Sequence, residues 1–159
     1  MALIGKHEVD IELKTPADKL WSLVKEFTFL CPKIFPDIYH SIEVLEGDGR
    51  SAGSLRRITL AASGEGLMQM PVVKSRIEAV DEETKTICYR MVEGDILKSF
   101  KSFVDKVVVK EKDGGGSVVS YSSEYEKLSE DTPNPDHVKD FTIGFFHKFD
   151  AYLEGESKN

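Results

Sequence analysis

Cysteine occurs only twice in the 159 residues, as Cys31 and Cys88. They form no CxxC pair, and no His/Asp/Glu cluster has metal-ligand spacing, so no metal and no cofactor is expected. Basic charge is also scarce. Lys and Arg number 21 against 28 Asp and Glu, for a net charge of −7. That balance argues against nucleic acid and against anionic membrane as partners, since both attract basic surfaces. No apolar run approaches the roughly 20 residues that cross a bilayer. The first eight residues, MALIGKHE, meet charge too early for a secretory h-region. Two free thiols without a leader suit a reducing compartment, so the expected location is cytoplasmic. What remains, 40% hydrophobic and 31% charged residues, is the composition of a soluble globule, and the length predicts one domain over residues 1–159.

Val9, Ile11 and Leu13 alternate with charged neighbours, which predicts a half-buried strand. Thr15 suits a helix N-cap and Pro16 the first helical position, after which Leu20, Trp21, Val24 and Phe27 recur at helical spacing. Residues 31–36, bounded by Pro32 and Pro36, read as a second short helix. Six strands follow, at about 42–45, 55–60, 70–80, 86–92, 100–109 and 117–126. Turn signals at 47–53, 63–66, 81–85, 93–95 and 113–116 separate them, so an antiparallel meander is expected. Asn134, Pro135 and Asp136 open a final helix. Its stripe is Val138, Phe141, Phe145, Phe149 and Tyr152, with Lys139, His147, Asp150 and Glu154 elsewhere. The expected fold is α+β: a seven-stranded curved antiparallel sheet wrapped around a long C-terminal helix, with two short helices after the first strand.

Several segments carry a family resemblance: KTPADK at 14–19, FPDIY at 35–39, SIEVLEGDG at 41–49, RIEAVD at 76–81, YEK at 125–127 and DAYL at 150–153. With the order of elements, they make the chain resemble the plant Bet v 1 / pathogenesis-related class 10 superfamily, and within it the major latex protein-like branch. The resemblance implies a helix-grip fold with a large internal cavity. It also implies small apolar or amphipathic metabolites as partners, of terpenoid, alkaloid, hormone or flavonoid type. A minority of relatives are cofactor-free enzymes that condense or cyclise reactive intermediates. The family's GxGGxG loop reads GDGRSAG at 47–53 here. It joins two strands and opens no helix, so it lacks the dipole of a phosphate cradle, and tight-turn geometry is the favoured reading.

Strand parity nominates the site. Ile87, Tyr89 and Met91 share one face of their strand, and Val119, Tyr121, Ser123 and Tyr125 share one face of theirs. Hydroxyls there suit a cavity better than a solid core, which would use Phe or Leu; tyrosine tips at the rim are the alternative. The next strand reads with Phe103, Asp105, Val107 and Val109 inward, or with Val104 and Val108 inward in the other register. The family register of strand 70–80 implies Met70, Val72, Lys74 and Arg76 inward, with Lys74 or Arg56 facing Asp105 or a ligand anion, or Lys74 snorkelling at the rim. The expected ligand-binding set is Arg56, Ile58, Val72, Lys74, Ile87, Tyr89, Met91, Phe103, Val107, Tyr121, Ser123, Tyr125, His137, Phe141 and Phe145. Asp105 and Tyr89 are the catalytic candidates, because burial raises a carboxyl toward general-acid or base range. His7 and His40 lie in polar sequence and carry no signal, and His147 falls on the outer helix face. His137 flanks the inward stripe, either as a base or as a solvated side chain. Carriage or sensing of a metabolite is the first functional reading, and cofactor-free cyclisation or isomerisation in the same cavity is the alternative. A ligand-controlled interaction protein comes third. The lysine, glutamate and tyrosine set of the condensing relatives has no match. The chain is expected to be a monomer, with a weak dimer as the alternative.

Overall fold

Alternation drives most of the chain into strands, and the turn residues fold them back on one another. The computed structural model describes residues 3–60 and 72–157. Its elements are β1 (Ile4–Leu13), α1 (Ala17–Val24), α2 (Phe27–Ile34), β2 (Tyr39–Glu46), β3 (Leu55–Leu60), β4 (Val72–Asp81), β5 (Thr86–Gly94), β6 (Phe100–Glu111), β7 (Ser117–Lys127) and α3 (Asp136–Ser157). The strands form one antiparallel sheet in the order β1-β7-β6-β5-β4-β3-β2. Consecutive strands β1 and β2 therefore sit at opposite edges, with α1 and α2 between them in sequence. The α+β expectation stands, and the seven strands curve around α3.

The main core joins both layers. Ile11, Ile77, Ile87, Val107 and Val119 of the sheet pack in one cluster with Phe145, Phe146, Phe149 and Leu153 of α3 and Leu20, Trp21 and Val24 of α1. Burial of such side chains is worth about 1.5–3 kcal/mol each relative to exposure, which is what holds the helix in the sheet's grip. A second cluster gathers Ile96, Phe100, Phe103, Tyr125 and Val138. Ile96 reaches it from a 3-10 turn at Asp95–Lys98, where only a break was expected.

Several local expectations need correction. Thr15 does not cap α1; its hydroxyl donates to Asp150 Oδ1 at 2.7 Å. The second helix begins four residues before the expected start, and Pro32 lies inside it. One lost backbone bond in so short a helix is offset by burial of Thr28 and Cys31 and by Phe27, which meets Phe145 and Phe149 edge-on at 5.3 and 5.2 Å. On α3, Tyr152 is 37% exposed, while Phe146 and Leu153 take the inward positions. Asp150, assigned to the polar side, is only 8% exposed. The expected turn at 63–66 and the start of β4 at Met70 lie outside the described residues. Among the described residues no helix is long and apolar enough to cross a membrane.

Candidate functional site

The parity read from the sequence places most of the nominated side chains on the concave side of the sheet. Arg56 and Ile58 from β3, Tyr89 and Met91 from β5, Asp105 and Val107 from β6, and Tyr121 from β7 line one pocket of about 190 Å³. Phe141 and Phe145 of α3 close it from the helix side. It is smaller than expected from a large cavity, and falls below the roughly 300–1,000 Å³ of drug-sized ligand sites. The physical reason is filling: Phe27, Cys31, Phe146 and Tyr39, none of them nominated, also project into the space. A second concavity on the other side of the sheet is lined by Lys6, Glu8, Asp10, Lys106, Lys110 and Glu124, charges of both signs that make it a solvated face.

Other nominated residues sit elsewhere. Ile87 is in the main core and Phe103 and Tyr125 stack on each other in the second cluster, centroids 5.9 Å apart. His137 is exposed at the start of α3. Ser123 is fully buried behind Asp105. The family register fails on β4. Val73, Ser75 and Ile77 are buried, Val72 is 42% exposed, and Lys74 pairs outward with Glu93 at 2.8 Å. Val73 and Ile77 lie on the parity opposite to Val72, and burying that pair decides the face. Replacing Lys74 by Ala should accordingly leave ligand affinity unchanged, and a titration showing weakened binding would restore the inward register.

Three polar groups give the pocket its chemistry. Asp105 Oδ1 accepts hydrogen bonds from the Tyr121 hydroxyl at 2.7 Å and the Ser123 hydroxyl at 2.5 Å. Burial raises its carboxyl above the usual range, against the pull of those two bonds. Tyr89 is pushed up to about 12, chiefly by burial and despite the neighbouring Arg56. Arg56 is 5% exposed. Its Nη1 donates to Thr28 Oγ1 at 3.3 Å, its Nη2 donates to Ser75 Oγ at 3.1 Å, and its guanidinium lies over the Tyr89 ring at 4.8 Å.

Among the residues of the lining with a hydroxyl or thiol, sequence reasoning missed Cys31, Tyr39, Ser75 and Thr142. Only Ser75 carried a usable signal, as the position between Val73 and Ile77. It also misjudged His7, whose ring lies 5.8 and 5.9 Å from those of Tyr121 and Tyr125. Neither of its ring nitrogens has a partner among the described residues, and burial, with Lys139 nearby, lowers its pKa. The glycine loop is closed on itself. Asp48 accepts the N–H groups of Arg50 and Ser51 at 2.8 and 2.7 Å, which occupies the donors an anion would need. Gly47, Gly49 and Gly53 turn at φ of +81°, +80° and +96°, the tight-turn geometry expected of them. Among the described residues no three His, Cys, Asp or Glu side chains are grouped to hold a metal.

A curved seven-stranded antiparallel sheet gripping a C-terminal helix over a mostly apolar pocket defines a helix-grip protein, and the comparisons with known proteins agree. The profile of the "Pathogenesis-related protein Bet v 1 family" matches residues 2–156, and the chain belongs to that family. Within it, the chain is similar to MLP-like protein 423 of Arabidopsis thaliana, 40% identical over 153 residues that cover 96% of each chain. The crystal structure of ginseng major latex-like protein 151 from Panax ginseng superposes with a TM-score of 0.84 at 28% identity, covering 95% of this chain and 98% of that one. A norcoclaurine synthase point mutant from Thalictrum flavum, in complex with a transition-state analogue, shares the fold. Its TM-score is 0.75 at 20% identity, over 98% and 97% of the two chains.

Proposed function

We propose that this chain binds small, largely apolar plant metabolites of terpenoid, alkaloid, hormone or flavonoid type in the pocket beneath α3, as a cytoplasmic carrier or sensor. The lining carries the reading. Ile58, Val107, Phe141 and Phe145 offer an apolar wall, while Arg56, Asp105 and the tyrosine hydroxyls are few and convergent. That division, apolar contact for affinity and a few polar groups for orientation, is what small-molecule sites use. The volume of about 190 Å³ favours the single-ring members of these classes over three-ring flavonoids, since a void of roughly 150 Å³ already accepts benzene.

An environment-sensitive apolar dye should bind saturably with rising fluorescence, and single-ring terpenoids or phenolics should displace it. A dye that stays dark, together with no thermal shift from any such compound, would remove the reading. A second reading rests on one observation: Asp105 is a carboxyl raised by burial inside an apolar pocket, hydrogen-bonded to Tyr121. Such a group can transfer a proton to or from a reactive intermediate held in a near-attack shape, so cofactor-free cyclisation or isomerisation is the alternative function.

A further inference from the structure

We infer that the pocket selects its occupant by charge: a small, mostly apolar monocarboxylic acid binds with its carboxylate on the guanidinium of Arg56. The inference rests on the pocket being a binding site and adds the chemical class of what enters it.

Arginine is almost never fully buried without an ionic partner, because removing its charge from water costs several kcal/mol. Arg56 is 5% exposed, and among the described residues no carboxylate stands within ion-pair distance of it. Its two bonds go to neutral hydroxyls, those of Thr28 and Ser75. The Nε–H, buried as well, has no acceptor among the described residues. The other acidic groups facing it supply no charge. Cys31 is pushed up to about 12, Tyr89 likewise to about 12, and Tyr39 well above its ordinary value, each chiefly by burial. Asp105 lines the same pocket, but its hydrogen bonds go to Tyr121 and Ser123.

The guanidinium belongs to the pocket wall. Nε and one Nη form the edge of the guanidinium that a carboxylate takes with two parallel bonds. The Tyr89 ring at 4.8 Å supports the guanidinium from one side, and the bond to Ser75 restrains its tip. An incoming carboxylate would neutralise this buried cation at the pocket wall. A phosphate dianion would bring more charge than a single arginine offsets, and its remaining oxygens would meet Ile58, Val107 and Phe145. A neutral ligand would leave the cation as it is.

The test is calorimetric titration of the full chain at pH 7 with benzoate, with benzamide as its neutral isostere, and with inorganic phosphate. Benzoate is expected to bind about 10–100-fold more tightly than benzamide, the range for a hydrogen-bonded charge pair, with phosphate weaker than both. Arg56→Met should bring the benzoate-to-benzamide ratio to near one while benzamide still binds. Its Tm should not fall below the parent's, since an apolar side chain replaces an unpaired buried charge. If that variant does not fold, Arg56→Lys decides, because a lysine lacks the fork and should lose most of the preference. Benzamide binding as tightly as benzoate, a preference that survives both substitutions, or phosphate matching benzoate would overturn the inference and leave the pocket reading intact. Failure of all three probes and of the dye would overturn both.

Discussion

Replacing Asp150 by Ala is expected to lower Tm by about 6–12 °C, from a loss of about 3 kcal/mol at about 2–4 °C per kcal/mol for a chain of this size. Asp150 sits on α3 and reaches back to the junction of β1 and α1. Its Oδ2 accepts the Lys14 N–H at 3.0 Å, and its Oδ1 accepts both the Thr15 N–H at 3.0 Å and the Thr15 hydroxyl at 2.7 Å. Alanine would strand these donors in a buried place, and the cost of stranded donors exceeds the net worth of the bonds. The pH dependence gives a second readout. Burial raises the Asp150 carboxyl, but the bonds from Lys14 and Thr15 outweigh it and hold the carboxyl below its ordinary value. A depressed carboxyl contributes stability that is present above the unfolded value of roughly 4 and is lost as pH falls through the folded value. Melts from pH 7 down to pH 2 should therefore show the parent approaching the variant in acid. A constant gap across that range, or a loss below about 2 °C, would show that the junction is held by packing alone.

The largest kinetic effect belongs to Asp105. If the pocket turns over a reactive intermediate, Asp105→Asn keeps the shape of the side chain and removes the base, at a cost of about 10²–10⁴-fold in rate. Binding of a stable product analogue should change far less, because only the transition state loses an interaction. The acid limb of the pH–rate profile should lie above the ordinary carboxylate range, as burial raises Asp105, and should vanish in the variant. Tyr89→Phe separates proton transfer from orientation, since it keeps the ring under Arg56. The measurement is the product distribution from a reactive terpenoid intermediate with and without the protein. A distribution identical to the spontaneous one would leave carriage as the function, and product control surviving both substitutions would assign the chemistry to other residues.

Legibility followed contrast within each strand. On β7 the inward set is mostly aromatic or branched and the outward set mostly charged or small, so Tyr121 could be placed from parity. On β6 the outward parity carries Val104 and Val108 beside Lys106 and Lys110, so Asp105 and Val107 were legible only as one of two registers. On β4 valines occupy both parities, at 72 and 73, and borrowing the family register chose the wrong one. Asp150 and His7 were judged by residue type, yet burial is conferred by partners. Thr15 lies 135 positions from Asp150, and no window of sequence contains that meeting. Pocket size was illegible for a related reason. It depends on how Phe27 of α2 and Phe146 of α3 fill the space, and neither side chain's reach is written in periodicity.

The edge position of β1 bears on how the chain is made. Every strand from β3 to β7 bonds to the one synthesised just before it, whereas β1 bonds to β7. Val9 faces Tyr121, and the Ser120 hydroxyl donates to Asp10 across 110 positions. Closing a loop of that length costs about 3 kcal/mol more in chain entropy than closing a four-residue hairpin. On the ribosome the meander can zip strand by strand as it emerges, while the first strand waits with both edges bare. A nascent chain arrested before Ser117 lacks the strand that β1 pairs with, so the sheet closes on its first strand only after β7 has been made.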